Sequence, residues 1–244
     1  MMNMLAFFYF DPMYFVYVGP AMLLAMWAQM RVKSAYREAG QYAASSGLTG
    51  AQTAQRILDV YGIVDVGIEP AQSFLGDHYD PKAKMLRLSS DVYSGRSLAS
   101  LGIAAHEVGH AIQDKAAYAP LAIRNGLVPI ASIGSQAAVG IIFLGLILSW
   151  MFHASLGQLG QTIAAGGLGL FGVVVVFQIV NLPVEFNASS RAREILVDQG
   201  MITVAEEKIV GKVLNAAAMT YVAATLTAIM TALYYASLVF GRRD

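Results

Sequence analysis

Two stretches of this chain, Val128 to Phe152 and Thr162 to Leu182, contain no Asp, Glu, Lys or Arg, and nothing else in the sequence limits the fold as sharply. About 20 apolar residues make a helix long enough to cross a bilayer. Inside lipid the backbone N–H and C=O groups must pair within the protein, which a helix does by itself. The link between the stretches, His153 to Gln161, is short and uncharged, and Pro183 ends the second. The pair therefore reads as a hairpin of membrane helices. Gly134 with Ala138, and Ala165 with Gly169, are small residues four apart, a spacing that suits close helix packing in lipid. Gly167 to Gly172 spells G-x-G-x-x-G, but no strand precedes it and it lies inside a lipid-length run, so no nucleotide site is assigned.

Two further apolar stretches flank this hairpin. Met13 to Met30 carries no charge, with Tyr14, Tyr17 and Trp27 as interfacial anchors. No basic residue precedes it, so it reads as a retained membrane helix rather than a signal peptide. Arg31, Lys33 and Arg37 follow, and by the positive-inside rule that end faces the cytoplasm. Ala216 to Phe240 is the last run. Of the 16 Lys and Arg, all but Arg242 and Arg243 then fall on the cytoplasmic side. The chain is 57% hydrophobic and 13% charged, against about 25% charged in soluble domains. Zero net charge gives no polybasic case for nucleic acid, and the absence of cysteine removes disulfide and thiol chemistry.

Between the first run and the hairpin lies a stretch of mixed period. Ser34 to Ser46 reads as a helix on or beyond the membrane surface, broken at Ser46-Gly47. Thr49 caps a second helix through Tyr61, with Ala54, Ile57, Leu58 and Tyr61 on its apolar face. Val64, Val66 and Ile68 alternate as in a strand, and Ser73-Phe74-Leu75 suggests another. Gly76 to Pro81 is dense in turn formers, and Lys84 to Leu88 resumes as a strand. An exposed edge at Leu86, Arg87 and Leu88 would pair with an extended peptide. Beyond the hairpin, Val184 to Glu194 forms a polar helix, and Thr203 with Glu206 forms a capping box.

The chemistry concentrates in His106-Glu107-Val108-Gly109-His110. Ser97 caps a helix there and Pro120 lies past its end. Residues four apart share a helix face, so His106 and His110 offer two imidazoles to one ion. Glu107, about 100° further around the axis, suits a base acting on water held by that ion. The pattern is the H-E-x-x-H signature of zinc metalloproteases. Its apolar flanks, Ile103-Ala104-Ala105 and Ala111-Ile112, predict a buried helix whose polar groups need a partner, and Gly109 makes room for a close backbone or ligand. Catalytic zinc takes three protein ligands plus water. His153 lies at the far membrane face, Asp114 is a turn beyond His110, and the residues alone leave both Glu185 and His78 open as the third. His78, Tyr79 and Arg193 are candidate oxyanion donors.

Longer segments carry a resemblance: Tyr9-Phe10-Asp11-Pro12, Trp27-Ala28-Gln29, Arg31-Val32-Lys33-Ser34, Asp77-His78-Tyr79-Asp80-Pro81, Leu86-Arg87-Leu88-Ser89, His106 to Gln113 and Leu182-Pro183-Val184-Glu185-Phe186. Across nearly its whole length the chain resembles the small neutral zinc metallopeptidases of bacterial membranes, distant relatives of the HtpX-like and prenyl-protein-processing membrane proteases. The resemblance implies Glu185 as third ligand, as in gluzincins. The wider group carries an Asp four residues after that Glu, supporting the first His. Ser189 stands there in this chain, which leaves that role to Asn187 or Ser189.

The expected fold is a mainly α integral membrane protein of about four transmembrane helices with a cytosolic α+β zincin-like part containing a small sheet. Its segments are 1–30 (transmembrane), 31–126 (cytosolic, with the metal helix), 127–183 (transmembrane hairpin), 184–214 (cytosolic, with the third ligand) and 215–244 (transmembrane). The expected activity is Zn2+-dependent cleavage of membrane-associated proteins or peptides at the cytoplasmic face of a bacterial inner membrane. Lipid and a peptide substrate are the expected partners, with a homo-oligomer or a regulatory membrane partner left open. The rival is a non-catalytic, zinc-stabilised scaffold, which would fill the water position with a fourth protein ligand such as Asp114 or His78. A transporter fits worst, because no membrane run holds a charged residue.

Overall fold

A computed structural model describes residues 11–71 and 76–241, with the backbone alone at 153 and 154. In chain order its elements are α1 (Pro12–Gly40), α2 (Gly50–Val60), β1 (Gly67–Pro70), β2 (His78–Asp80), β3 (Met85–Leu88), α3 (Ser90–Tyr93), α4 (Leu98–Lys115), α5 (Ala119–Met151), α6 (His153–Asp198) and α7 (Val204–Phe240). Among the described residues, α1, α5, α6 and α7 are long and apolar enough to cross a membrane. The chain is thus mainly helical, with four such helices and one small mixed sheet.

These helices are longer than the apolar runs inside them. No break occurs at Ser46-Gly47, because α1 continues past its basic residues and stops at Gly40. Helix α6 absorbs both the expected link His153–Gln161 and the expected stop at Pro183. A proline inside a helix removes one backbone hydrogen bond. Beyond it, Val184, Ala188, Ala192 and Leu196 are fully buried at four-residue spacing, so packing along one face carries the helix through. The capping box at Thr203 and Glu206 forms as expected and opens α7.

The contacts divide the chain into two units. One gathers the described residues of Met1–Trp27, Ile123–Val180 and Tyr221–Asp244. Here α5 and α6 meet along small residues. A methyl added at Gly134 would lie 3.0 Å from Val174 Cγ2, and one at Gly167 would lie 3.0 Å from the Ala138 carbonyl oxygen. Methyls at Gly145 and Gly160 would run into the facing backbone. Gly134 and Ala138 thus pack as expected, but Gly169 faces open space, and the close contacts opposite come from Gly160, Ala164 and Gly167.

The other unit, Ala28–Ala122 with Asn181–Thr220, has its core between α2, the sheet, α4 and the adjoining parts of α6 and α7, with Ile57, Leu58, Leu86, Leu88, Leu101, Val108, Leu196 and Val210 inside. Thr49 caps α2 through a capping box with Gln52. Ala54, Ile57 and Leu58 face inward, but Tyr61 is the exposed C-cap rather than part of the apolar face.

The sheet departs most from expectation. Val64 is 94% exposed, and the first strand begins only at Gly67. Within the expected turn, His78–Asp80 pair as β2, and the reversal is Pro81–Lys84, where Asp80 Oδ1 accepts from the Lys82 and Ala83 amides. Ser73–Leu75 lie outside the described residues. Strand order is β1-β3-β2, with β1 parallel and β2 antiparallel to β3. Leu86 and Arg87 are therefore central, paired with β1 on one side and β2 on the other, and Leu88 is paired with β1, so this segment is not an open edge. Leu86 and Leu88 enter the core while Arg87 binds Glu69 and Asp80 on the other face.

Candidate metal centre

Ser97 opens α4 by accepting the Ser100 amide at 3.1 Å. The helix is buried from Leu98 through Gln113 apart from Ile103 and His106. That burial follows from the apolar flanks of the pentapeptide and brings His106, Glu107 and His110 against α6. Gly109 permits the approach, since a methyl there would sit 2.9 Å from the Ala188 carbonyl oxygen and 3.2 Å from its Cα. Of the two expectations for Gly109, a close backbone is the one realised.

Three side chains converge. Glu185 Oε2 lies 3.3 Å from His106 Nε2 and 3.8 Å from His110 Nε2, and the ligand atoms of all three residues fall within 4.8 Å of one another. Tetrahedral zinc at about 2.05 Å from each donor separates its ligands by about 3.4 Å. The two distances from Glu185 to the imidazoles lie near that separation, and two imidazoles with one carboxylate are a donor set that suits such an ion. Of the two residues left open as third ligand, it is Glu185 that clusters. His78 lies on β2, its Nδ1 donating to the Gly76 carbonyl at 2.7 Å.

The electrostatics follow from burial. The Glu107 carboxyl is pushed up to about 7, first by burial and then by the charges of Glu185 and Asp77, with His106 and His78 pulling the other way. Burial opposes charge on His106, but its hydrogen bond to Glu185 and the Glu107 and Glu185 carboxylates prevail and raise its pKa.

Around the cluster, the Ser189 hydroxyl lies 3.2 Å from His106 Nδ1, so of Asn187 and Ser189 it is Ser189 that reaches the first histidine. Asn187 reaches the other histidine indirectly. Gln113 Oε1 lies 3.0 Å from His110 Nδ1, while Gln113 Nε2 donates to the Val184 carbonyl at 2.8 Å and to Asn187 Oδ1 at 3.0 Å. Gln113 stands outside the site residues expected from the sequence. The available signal was its position three residues after His110, on the same helix face.

Two of the proposed oxyanion donors are engaged elsewhere. The Tyr79 hydroxyl donates to Asp114 Oδ2 at 2.8 Å, and burial, with that bond and the carboxylate charge, raises its pKa. Asp114 also binds Lys84 at 2.6 Å. Burial pushes its carboxyl up, but its bonds to Lys84 and Tyr79 hold it below the usual range. Arg193 donates to Glu207 Oε1 at 2.6 Å and lies against Gly211, tying α6 to α7. His78 is also engaged, its Nδ1 at the Gly76 carbonyl and its Nε2 3.5 Å from Arg87 Nη1, but of the three it is the one close enough to Glu107 to act on that carboxyl.

Against known proteins, the family described as "Putative neutral zinc metallopeptidase" matches residues 14–240. The chain is 44% identical over 233 residues to the "Putative membrane protease YugP" of Bacillus subtilis (strain 168), covering 95% of this chain and 99% of that protein. No solved structure matches.

Proposed function

The chain belongs to this neutral zinc metallopeptidase family, and from that premise we propose that it is a membrane-embedded endopeptidase in which His106, His110 and Glu185 hold zinc and Glu107 is the general base. The observation that carries this reading is the meeting of two imidazole Nε2 atoms at one buried carboxylate oxygen, beside a second buried carboxyl. Zinc bound there supplies Lewis acidity, polarising a peptide carbonyl and lowering the pKa of water. Glu107 takes the proton from the attacking water and returns it to the leaving amine. A carboxyl held beside that water serves both transfers, as base and then as acid. Ser189 and Gln113 hold the two imidazole rings by their Nδ1 atoms, the outer-shell support that metal-binding histidines use. His78 is the candidate donor to the developing oxyanion.

A structural zinc site is closed by four protein ligands. Among the described residues the cluster holds three, and the candidates for a fourth, Asp114 and His78, bond elsewhere. That favours the enzyme over the scaffold. Because β3 is paired on both sides, an extended substrate would add to β2, whose Tyr79 is bonded to Asp114 of α4. Among the described residues no strand covers the outer side of β2. The substrates are membrane-associated proteins or peptides, met at the cytoplasmic face, the side that the Lys and Arg distribution favours for the site.

The test is metal content and cleavage of an unfolded fluorogenic casein by purified variants in detergent. Glu185→Ala should lose zinc and activity together, while His78→Ala should keep zinc and lose rate. Full zinc occupancy in Glu185→Ala, with loss in His78→Ala, would overturn the ligand set.

A further inference from the structure

The two histidines are supported by different chemistry. A hydroxyl both donates and accepts, so Ser189 leaves the proton position on His106 undetermined. At His110 each partner allows only one arrangement. Gln113 is fully buried, and one end of its amide faces the Val184 carbonyl oxygen at 2.8 Å. A carbonyl only accepts, so that end is the NH2 group. The Oε1 end must then face His110 Nδ1 at 3.0 Å and accept from it, which puts the ring proton on Nδ1 and the lone pair on Nε2, the nitrogen turned toward Glu185. Asn187 is fixed by the same logic. Arg191 Nε meets the Asn187 amide at 2.8 Å and guanidinium only donates, so Asn187 offers its oxygen to both Arg191 and Gln113. The order is set from a guanidinium that can only donate, through helix α6, into a ring on α4.

We infer that Gln113, held by Asn187 and Arg191, is the positioning residue that locks His110 in its metal-binding tautomer and sets the zinc affinity of the site. The inference rests on the metal reading above and adds to it a one-directional hydrogen-bond chain between two helices. Gln113 touches neither substrate nor the reacting atoms and acts through His110. Removing an outer-shell partner of this kind weakens metal binding about 10–100-fold.

Two readouts test it. The chain has only 4 histidines, so ring-15N-labelled protein in detergent, at alkaline pH and without metal, reports each tautomer directly, with a His110→Ala spectrum assigning the signal. Zinc affinity is measured separately by competition with a chromophoric chelator. The parent should show His110 protonated on Nδ1. Gln113→Met keeps volume but neither donates nor accepts in this way; it should mix the tautomers and raise the zinc Kd about 10–100-fold. Asn187→Leu should move both readouts in the same direction. Asn187→Asp, which still accepts from Gln113 and Arg191, should restore both toward the parent. A parent His110 protonated on Nε2 would overturn the lock even if every variant failed to fold, as would a Gln113→Met protein with parental tautomer and affinity. Failure of the parent to bind zinc would overturn the metal reading instead, leaving the tautomer result to stand or fall alone.

Discussion

Helix α6 makes two seams with the same device and different results. In the apolar unit, Gly145, Gly160 and Gly167 let its backbone approach that of α5. In the other unit, Gly109 lets the backbone of α4 approach Ala188. Each seam exists because a Cβ is missing. The flanks decide what it does. Around the first stand Ala138, Ile142 and Ala164, fully buried, and the seam supplies only the close van der Waals packing that holds helices together in lipid. Around the second stand His106, His110, Gln113, Glu185, Asn187 and Ser189. Buried polar groups must find partners, and at this distance they find one another across the seam. Close approach is thus a general packing solution that becomes a site when the side chains beside it carry acids, bases and amides.

The contrast breaks most easily at Glu107. Glu107→Gln should cut peptide hydrolysis by about 10²- to 10⁴-fold while zinc content stays at the parental level; equal rates would remove the chemistry from the polar seam. Next comes a pH effect on the zinc-free protein. The Glu107 carboxyl sits at 4.5 in the unfolded chain and about 7 when folded. A raised carboxyl costs nothing below the lower value and opposes folding increasingly as pH rises through the upper one. Thermal melts should therefore lose on the order of 3 kcal/mol from this group between those two pH values, and Glu107→Gln should flatten the slope.

Smaller effects separate the seams themselves. Gly109→Ala must displace the Ala188 backbone, and overpacking of this kind costs about 1–3 kcal/mol; zinc affinity should fall with stability, because α6 carries Glu185 away with it. Gly145→Ala should cost a similar amount in denaturation while the zinc affinity of the folded fraction is unchanged. Parallel loss of affinity in both would erase the distinction. The smallest change is Gly169→Ala: nothing lies within 4 Å of the new methyl, so it should stabilise by up to about 1 kcal/mol through helix propensity alone.

What could be read from the residues in order was whatever depends on short chain geometry. The apolar runs marked the four long helices, Ser97, Thr49 and Thr203 marked helix starts, and four-residue spacing put His106 and His110 on one face. Boundaries fared worse where packing overrode local signals, as when the buried stripe from Val184 to Leu196 carried α6 through Pro183. Sheet order could not be read because Leu86-Arg87-Leu88 alternates in the same way at the centre as at an edge. The residues alone left Glu185 and His78 open, and the resemblance, not geometry, pointed to Glu185. Only the folded chain joined residues 71 positions apart, such as Gln113 and Val184, committed Tyr79 to Asp114 and Arg193 to Glu207, and gave Gln113 its partner. The spacing of side chains on one helix is a property of the helix, whereas which carboxylate meets two imidazoles depends on how closely two helices pack, and here a missing methyl at Gly109 decided that.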